Sequence, residues 1–299
     1  MAQWSLMWGH DELALTGRQP FDLVSAGGIG GAPVRRLSER SPLQDGDLDI
    51  GRRLDARLIN LVLFFAAADR AAADEYRDRL LHWIKPRTGP LALRCVRDDG
   101  SERRIDCYAV GVVDAPADQE SRWWSAQKIA VQLRAPDPIW YDPQPATWAL
   151  LGGVGTGASG WGVPLLVPWV QSQQSFISTT QALHYGGSWD DYPVITVFGP
   201  ASDVTITNIS TGDVLDLPTL ALAEGQWIEI DLRYGRKTVT SHAGNAIGLL
   251  SSDSDLATWH LAADPDAPGG ENLIRFEVAA AASNKTGVQF AYYRRYFGL

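Results

Sequence analysis

The stretch APDPIWYD, residues 135–142, ends an alternating β-strand with two prolines and two large aromatic residues. In the strand before it, residues 128–133, apolar positions alternate with polar or small ones, as they do when one face of a sheet is buried. Pro136 and Pro138 stop the ladder, because proline has no backbone N–H to donate and its φ is fixed. Trp140 and Tyr141 follow at once and can cover the end of the sheet with about 150 to 250 Å² of buried surface each. The stretch therefore predicts the border of a β-domain, with Trp140 and Tyr141 as structural anchors.

Length and composition indicate a globular protein of two domains. The chain has 299 residues, of which 45% are hydrophobic and 20% are charged. A formal net charge of −9 argues against a surface that binds nucleic-acid phosphates. The longest apolar run, residues 61–68, is far shorter than the roughly 20 residues of a membrane span. Because residues 1–4 also lack the pattern of a signal peptide, we expect neither membrane insertion nor secretion by that route.

The first domain, residues 1–142, is predicted to be mainly β with one helix. Residues 54–65 form a strand-like series, and the helix is predicted at residues 66–85. Acidic side chains early in this helix and basic ones late favour its dipole, and Pro86 ends it. An apolar stripe at helical spacing predicts core packing, with Trp83 as a further structural anchor. The stripe consists of Tyr76, Leu80, Trp83 and Ile84.

The two cysteines flank a predicted β-hairpin whose turn is residues 98–101. A register with Arg97 opposite Glu102 would place Cys95 and Cys107 on opposite faces of the hairpin. A disulfide between them is then disfavoured. We expect two buried, reduced thiols.

Residues 143–188 are predicted to be a connector rich in Gly and Pro. Within it, residues 155–160 match the GxGxxG pattern of dinucleotide-binding proteins. Such a pattern must open a helix whose N-terminus holds the pyrophosphate, whereas Trp161 and Pro164 follow here. Ser159 likewise lacks the second glycine of a nucleophile elbow, because Trp161 stands in its place. No cofactor site and no catalytic residue are predicted.

The second domain, residues 189–299, shows short strands and closely spaced turns, which are typical of a β-sandwich. No long helix is expected in it. The clearest strands are residues 192–198, 204–209, 226–231, 236–241 and 273–278.

Several segments follow one another in the order found in phage distal tail proteins. In the first domain they are QDGD (44–47), GRRLDARLINLVL (51–63), WIKPRTGPLAL (83–93) and LRAPDPIWYD (133–142). In the second they are YPVITVFGPASDVTITNISTGDVLDL (192–217), GQWIEIDLRYGRKTV (225–239), WHL (259–261) and GGENLIRF (269–276). Their collinear succession resembles the distal tail (Dit) family of siphovirus-type tails. The chain departs from that pattern at residues 262–270, a longer and more Pro-rich loop.

The resemblance implies a structural adaptor and no enzyme. It implies an N-terminal β-barrel or sandwich that builds a ring, usually of six copies, and a galectin-like C-terminal β-sandwich that projects outward. The implied partners are further copies of the chain, the tail tube protein, the tail hub protein and receptor-binding proteins, with DNA only in passage. The implied place is the distal end of the virion tail, after assembly in the host cytoplasm. Carboxylates on a ring lumen would repel DNA phosphates, which suits the acidic composition.

A glycan hydrolase remains an alternative, because the chain is rich in Asp and Glu. Hydrolysis needs two carboxylates held across the glycosidic bond. The candidates lie in turn-like stretches, where solvated loop acids are the simpler interpretation: Asp190, Asp191, Asp253, Asp255 and Asp264. The five histidines show no metal-binding spacing, so no metal site is predicted. They are His10, His82, His184, His242 and His260.

A carbohydrate-binding module is the other alternative, since exposed aromatic rings can stack on sugars. Trp189 and Trp259 are the leading candidates for such stacking. Whether Trp227 faces the core or solvent depends on the register of its strand. Tyr292 and Tyr293 are further candidates.

Overall fold

The computed structural model describes residues 2–17, 20–40, 45–85, 89–110, 122–123, 125–151, 175–281 and 285–299. The chain divides into two compact units. The first comprises Met1–Pro143 together with Tyr296–Leu299, and the second comprises Gln144–Arg295. Both units are built mainly of strands, and α1 (Arg70–Ile84) is the only α-helix of the described residues. The prediction of a mainly β fold with one helix is therefore confirmed.

The first unit contains a long antiparallel sheet and a separate hairpin. Its strands are β1 (Gln3–Trp8), β2 (Asp11–Ala14), β3 (Phe21–Gly27), β4 (Val34–Glu39), β5 (Leu48–Leu54), β6 (Arg57–Ala66), β7 (Leu91–Val96), β8 (Glu102–Ala109), β9 (Arg122–Trp123), β10 (Ala126–Ala135) and β11 (Trp140–Tyr141). The long sheet has the order β2-β1-β7-β8-β10-β6-β3, with β9 beside β10 and β11 beside β8. Strands β4 and β5 pair with each other in a two-stranded sheet. In the described part of the unit the long sheet does not close into a barrel, so β2 and β3 remain as its edges.

Helix α1 begins later than the sequence predicts. Strand β6 continues through Ala66, which pairs with Ala126 of β10. Asp69 is the N-cap: its carboxylate accepts a 2.8 Å hydrogen bond from the backbone N–H of Ala72. The predicted start at residue 66 was wrong because pairing with β10 keeps that residue extended. The helix ends at Ile84, one residue before the predicted end, and Pro86 lies outside the described residues.

The hairpin of β7 and β8 differs from its prediction by one residue of register. Val96 pairs with Glu102, because Arg97 closes the turn by donating to the carbonyl of Ser101 at 2.8 Å. Cys95 and Cys107 consequently share the buried face, and the prediction of opposite faces was wrong. Both thiols are free, as expected, and burial raises the pKa of Cys95 to about 11 and that of Cys107 to about 12.

The second unit consists of two antiparallel sheets. Its strands are β12 (Ala146–Leu151), β13 (Ser175–His184), β14 (Val194–Phe198), β15 (Ala201–Asn208), β16 (Val214–Leu222), β17 (Trp227–Asp231), β18 (Thr238–Ser241), β19 (Gly244–Asn245), β20 (Glu271–Ala281) and β21 (Gly287–Tyr292). The short strand β22 (Arg295–Tyr296) spans the division between the units and belongs to neither of these two sheets. One sheet has the order β12-β21-β14-β17-β18-β19 and the other β13-β20-β15-β16. Their buried side chains form one continuous hydrophobic cluster, as in a sandwich. The helical elements described here are two short 3-10 turns, Ile247–Leu249 and Pro268–Gly270.

Two strands of the second unit fall within residues 143–188, the range predicted to be a connector. Strand β12 pairs with β21, and β13 pairs with β20. The sequence missed both because Gly, Pro, Trp and uncharged polar residues together make up most of the range as a whole. The intervening residues 152–174, which include the GxGxxG match and Ser159, lie outside the described residues.

Candidate functional site

Two of the three predicted anchors of the first unit, Trp140 and Trp83, lie in or against its core. Trp140 is fully buried and makes an edge-to-face contact with Trp4, with ring centroids 6.3 Å apart. Trp83 is partly buried and packs against the same hydrophobic cluster. Tyr141 is half-buried, and its hydroxyl donates to the carboxylate of Asp106 at 2.6 Å. The packing of Trp140 and Trp83 and the hydrogen bond of Tyr141 suit a structural role for these side chains.

Arg57 is a buried cation whose role the sequence analysis missed. Its side chain is 1% exposed, and its guanidinium donates to four backbone carbonyls. The acceptors are Pro138 at 2.8 Å, Gly28 at 2.9 Å, Gly30 at 2.5 Å and Phe297 at 2.9 Å. Burial lowers the pKa of Arg57, but an arginine stays charged in proteins. The burial of Arg57 could have been predicted from the two-residue alternation of β6, in which Arg57 lies on the inward face together with Ile59 and Leu61.

The Arg57 bonds fix the loop that leads from β3 into the hairpin of β4 and β5. Gly28 in that loop has φ +78°, and a Cβ there would lie 2.0 Å from the carbonyl oxygen of Leu58. Only glycine fits a backbone that is both left-handed and so close to a neighbouring strand. At the foot of the hairpin, Asp55 donates its backbone N–H to the carbonyl of Pro33 at 2.9 Å. The base of the hairpin is therefore held by the partly buried bonds from Arg57 and by this backbone bond between exposed residues.

The segment Tyr296–Leu299 completes the same network. Phe297 accepts from Arg57, and Gly298 accepts from Nη1 of Arg103 at 2.6 Å. The guanidinium of Arg103 also lies 3.8 Å from the ring centroid of Tyr296. Leu299 packs against the hydrophobic cluster of the first unit, and its backbone N–H donates to Ile29 at 3.2 Å. The segment Tyr296–Leu299, which is distant in sequence from the rest of the first unit, therefore contacts that unit beside the base of the hairpin.

The hairpin of β4 and β5 is the strongest candidate for an interaction surface. Among the described strands it pairs with no other, and it carries exposed apolar side chains. Val34 is 49% exposed, Leu48 58% and Ile50 60%. Edge strand β3 adds Val24, which is 54% exposed at a bulge in the β3–β6 register. Unpaired edges and exposed apolar side chains in one unit are typical of a surface that another chain covers.

The candidate carboxylates of a hydrolase hold loops of the second unit. Four of the five accept hydrogen bonds from backbone N–H groups, and Asp253 accepts from the Ser252 hydroxyl at 3.3 Å. The backbone bonds are Asp190 to Ala263, Asp191 to Tyr293, Asp255 to Val214 and Asp264 to Gly269, at 3.0, 3.0, 2.8 and 3.2 Å. The bonds of Asp190, Asp191 and Asp255 join segments that are distant in sequence, whereas those of Asp253 and Asp264 are local, so each carboxylate has a structural role.

The leading sugar-stacking candidates are placed differently from one another. Trp259 is fully buried and stacks on Phe290, with ring centroids 5.8 Å apart, so the proposed stacking of a sugar on it was wrong. Trp189 is half-buried, and its role stays a prediction. Trp227 faces solvent with 37% of its surface exposed. Tyr292 is buried and Tyr293 is half-buried.

In the part of the chain that the structure describes, no three His, Cys, Asp or Glu side chains converge as they would around a metal ion. Within the same residues, no helix combines the length and apolar character needed to cross a bilayer.

Comparison with known proteins gives likenesses in structure. No family model and no curated protein sequence matches the chain. The crystal structure of Dit (gp 19.1) of phage SPP1, described as a paradigm of the hub adsorption apparatus in phages that infect Gram-positive bacteria, matches with a TM-score of 0.64 at 12% identity over 98% of both chains. Chains of the phage P2 baseplate in its activated conformation, with Ca and with Sr, match over the full length of both chains at 9% identity with TM-scores of 0.49 and 0.48. The last two likenesses are too weak to establish anything further, whereas the first shows the fold. The resemblance to distal tail proteins is thereby confirmed at the level of the fold.

Proposed function

We propose that this chain is a structural component of a phage tail tip, an adaptor at the distal end of the tail, and that it is not an enzyme. The observation that supports this function is the likeness to SPP1 Dit, which extends over 98% of both chains and includes both units. A likeness confined to one sandwich would say little, because such sandwiches serve many functions.

The proposed adaptor joins the tail tube to the hub and to the proteins that recognise the host. Its place is the virion, and DNA passes through it without being bound. The net charge of −9 favours such passage, because carboxylates at a lumen repel phosphates.

In this proposal, copies of the chain associate through the first unit and form a closed ring of six. The hairpin has an uneven charge distribution that suits contact between copies. Four arginines lie towards its base: Arg35, Arg36, Arg52 and Arg53. Four carboxylates lie towards its tip, beside Arg40: Glu39, Asp45, Asp47 and Asp49. An acidic tip laid against the basic base of the next copy makes a heterologous contact, which closes into a ring when the rotation allows.

Electron micrographs of assembled particles test this function directly. We expect several equivalent copies of the chain in a ring at the end of the tail. Charge reversal at the base, in Arg35→Glu with Arg53→Glu, should prevent ring formation while the purified chain keeps its melting temperature, because both side chains are exposed. The matched control is Arg79→Glu, an exposed arginine on α1. A single asymmetric copy per particle, or efficient glycan cleavage by the isolated monomer, would overturn the proposal.

A further inference from the structure

Three loops of the second unit bring together two tyrosines, a lysine and a histidine. Tyr192 precedes β14, Tyr234 and Lys237 lie in the turn between β17 and β18, and His260 follows Trp259. The rings of Tyr192 and Tyr234 meet edge to face, with centroids 4.8 Å apart and planes at 70°. The ring of His260 lies 6.0 Å from that of Tyr192. The side chains of Tyr192, Tyr234 and His260 are called the aromatic cage below.

The ammonium group of Lys237 lies against two rings of the cage, those of Tyr192 and Tyr234. Its Nζ lies 4.4 Å from the ring centroid of Tyr192 and 5.8 Å from that of Tyr234, both within the range of a cation–π contact. The same nitrogen is buried and has no hydrogen-bond partner among the described residues. Burial lowers the pKa of Lys237, and the nearby Asp231 carboxylate opposes that shift. The two tyrosine rings therefore attract a positive charge, but the site as a whole penalises an ammonium group, because it is buried there without an acceptor for its N–H groups.

A primary ammonium is a poor match for this environment. It is strongly hydrated and carries three N–H donors, all of which lose water when the group enters the cage. A quaternary ammonium has no N–H donor, so tyrosine faces can replace its hydration without leaving a donor unpaired. Release of Lys237 into water would also restore the hydrogen bonds of its own ammonium group.

We propose that the aromatic cage is a binding site for quaternary ammonium groups of the choline type, which Lys237 occupies when no ligand is present. The exposure of Tyr234, which is 74%, lets a ligand reach the cage from solvent. His260 is held as a third wall, because its Nδ1 lies 2.7 Å from the carbonyl of Thr258 and 3.4 Å from the carboxylate of Asp213. This site is independent of the proposed ring, which uses the first unit.

A titration of the full chain with tetramethylammonium chloride tests the site. Binding is measured by NMR as broadening of the methyl proton signal of the tetramethylammonium ion. We expect saturable binding that sodium chloride at equal ionic strength does not reproduce. Lys237→Met removes the competing ammonium and should raise the affinity about tenfold, the effect of removing one cation–π competitor. Tyr234→Ala should abolish binding, and its high exposure predicts an unchanged melting curve.

Lys285→Met is the matched control, because Lys285 is exposed and its Nζ pairs with Glu224 at 2.6 Å in the same unit. This variant should bind the probe as the native chain does. The proposal is wrong if Lys237→Met binds no more tightly than the native chain. It is equally wrong if folded Tyr234→Ala binds as well as the native chain.

Discussion

At the scale of single residues, Arg57 shows how one buried cation can organise a whole loop. Its planar guanidinium presents several donors in a fixed arrangement, and four carbonyls from three separate segments accept them. We expect Arg57→Met to lower the free energy of unfolding of the first unit by about 3 kcal/mol or more, because the variant leaves one buried and three partly buried bonds without their donor. Denaturant unfolding of the purified chain measures this loss.

Arg79→Met is the control for Arg57, since Arg79 is exposed on α1 and methionine has a similar helix propensity. It should change the free energy of unfolding by less than about 0.5 kcal/mol. Equal stability of the two variants would show that the four carbonyls find other partners. Trp259 shows that an aromatic residue in a loop can be as deeply buried as one in a strand.

At the scale of elements, the segment Tyr296–Leu299, called the clasp below, stabilises the first unit. It supplies acceptors to Arg57 and Arg103 and an apolar side chain to the core. Removal of residues 297–299 should therefore reduce hydrogen-exchange protection in β6 and in the loop after β3. Protection of β14 and β17, which belong to the second unit, should not change.

Phe297→Ala separates the contribution of the backbone hydrogen bond from that of the phenylalanine side chain. It keeps the backbone carbonyl that Arg57 uses but removes the ring that lies against Gly31. We expect a smaller loss of protection than in the truncated chain. If the truncated chain kept full protection in β6, the clasp would have no part in stabilising the first unit.

At the scale of the whole molecule, we propose that the two units are domains that share pieces of chain. Residues 151–162 are rich in Gly and carry no charged side chain, so we expect a broad-specificity protease to cut there first. Such a cut leaves β12 of the second unit on the N-terminal fragment and the clasp of the first unit on the C-terminal fragment. The two fragments should therefore stay together in native size-exclusion chromatography and separate in denaturant. Mass spectrometry locates the cuts, and early cleavage within β7 to β10 would contradict this division.

The sequence by itself determined the class of fold, the five clearest strands of the second unit and the end of helix α1. These features depend on period and on Pro or Gly signals, which act between residues a few positions apart. Only the tertiary structure decided the shared face of Cys95 and Cys107, the burial of Trp259 and the partners of Arg57. Each of these depends on strand register or on contacts between residues that are distant in sequence. Arg57 and Phe297, for example, are 240 positions apart and share a hydrogen bond. A slip of one residue in register exchanges the two faces of a strand without altering its local pattern, so local pattern cannot specify such contacts.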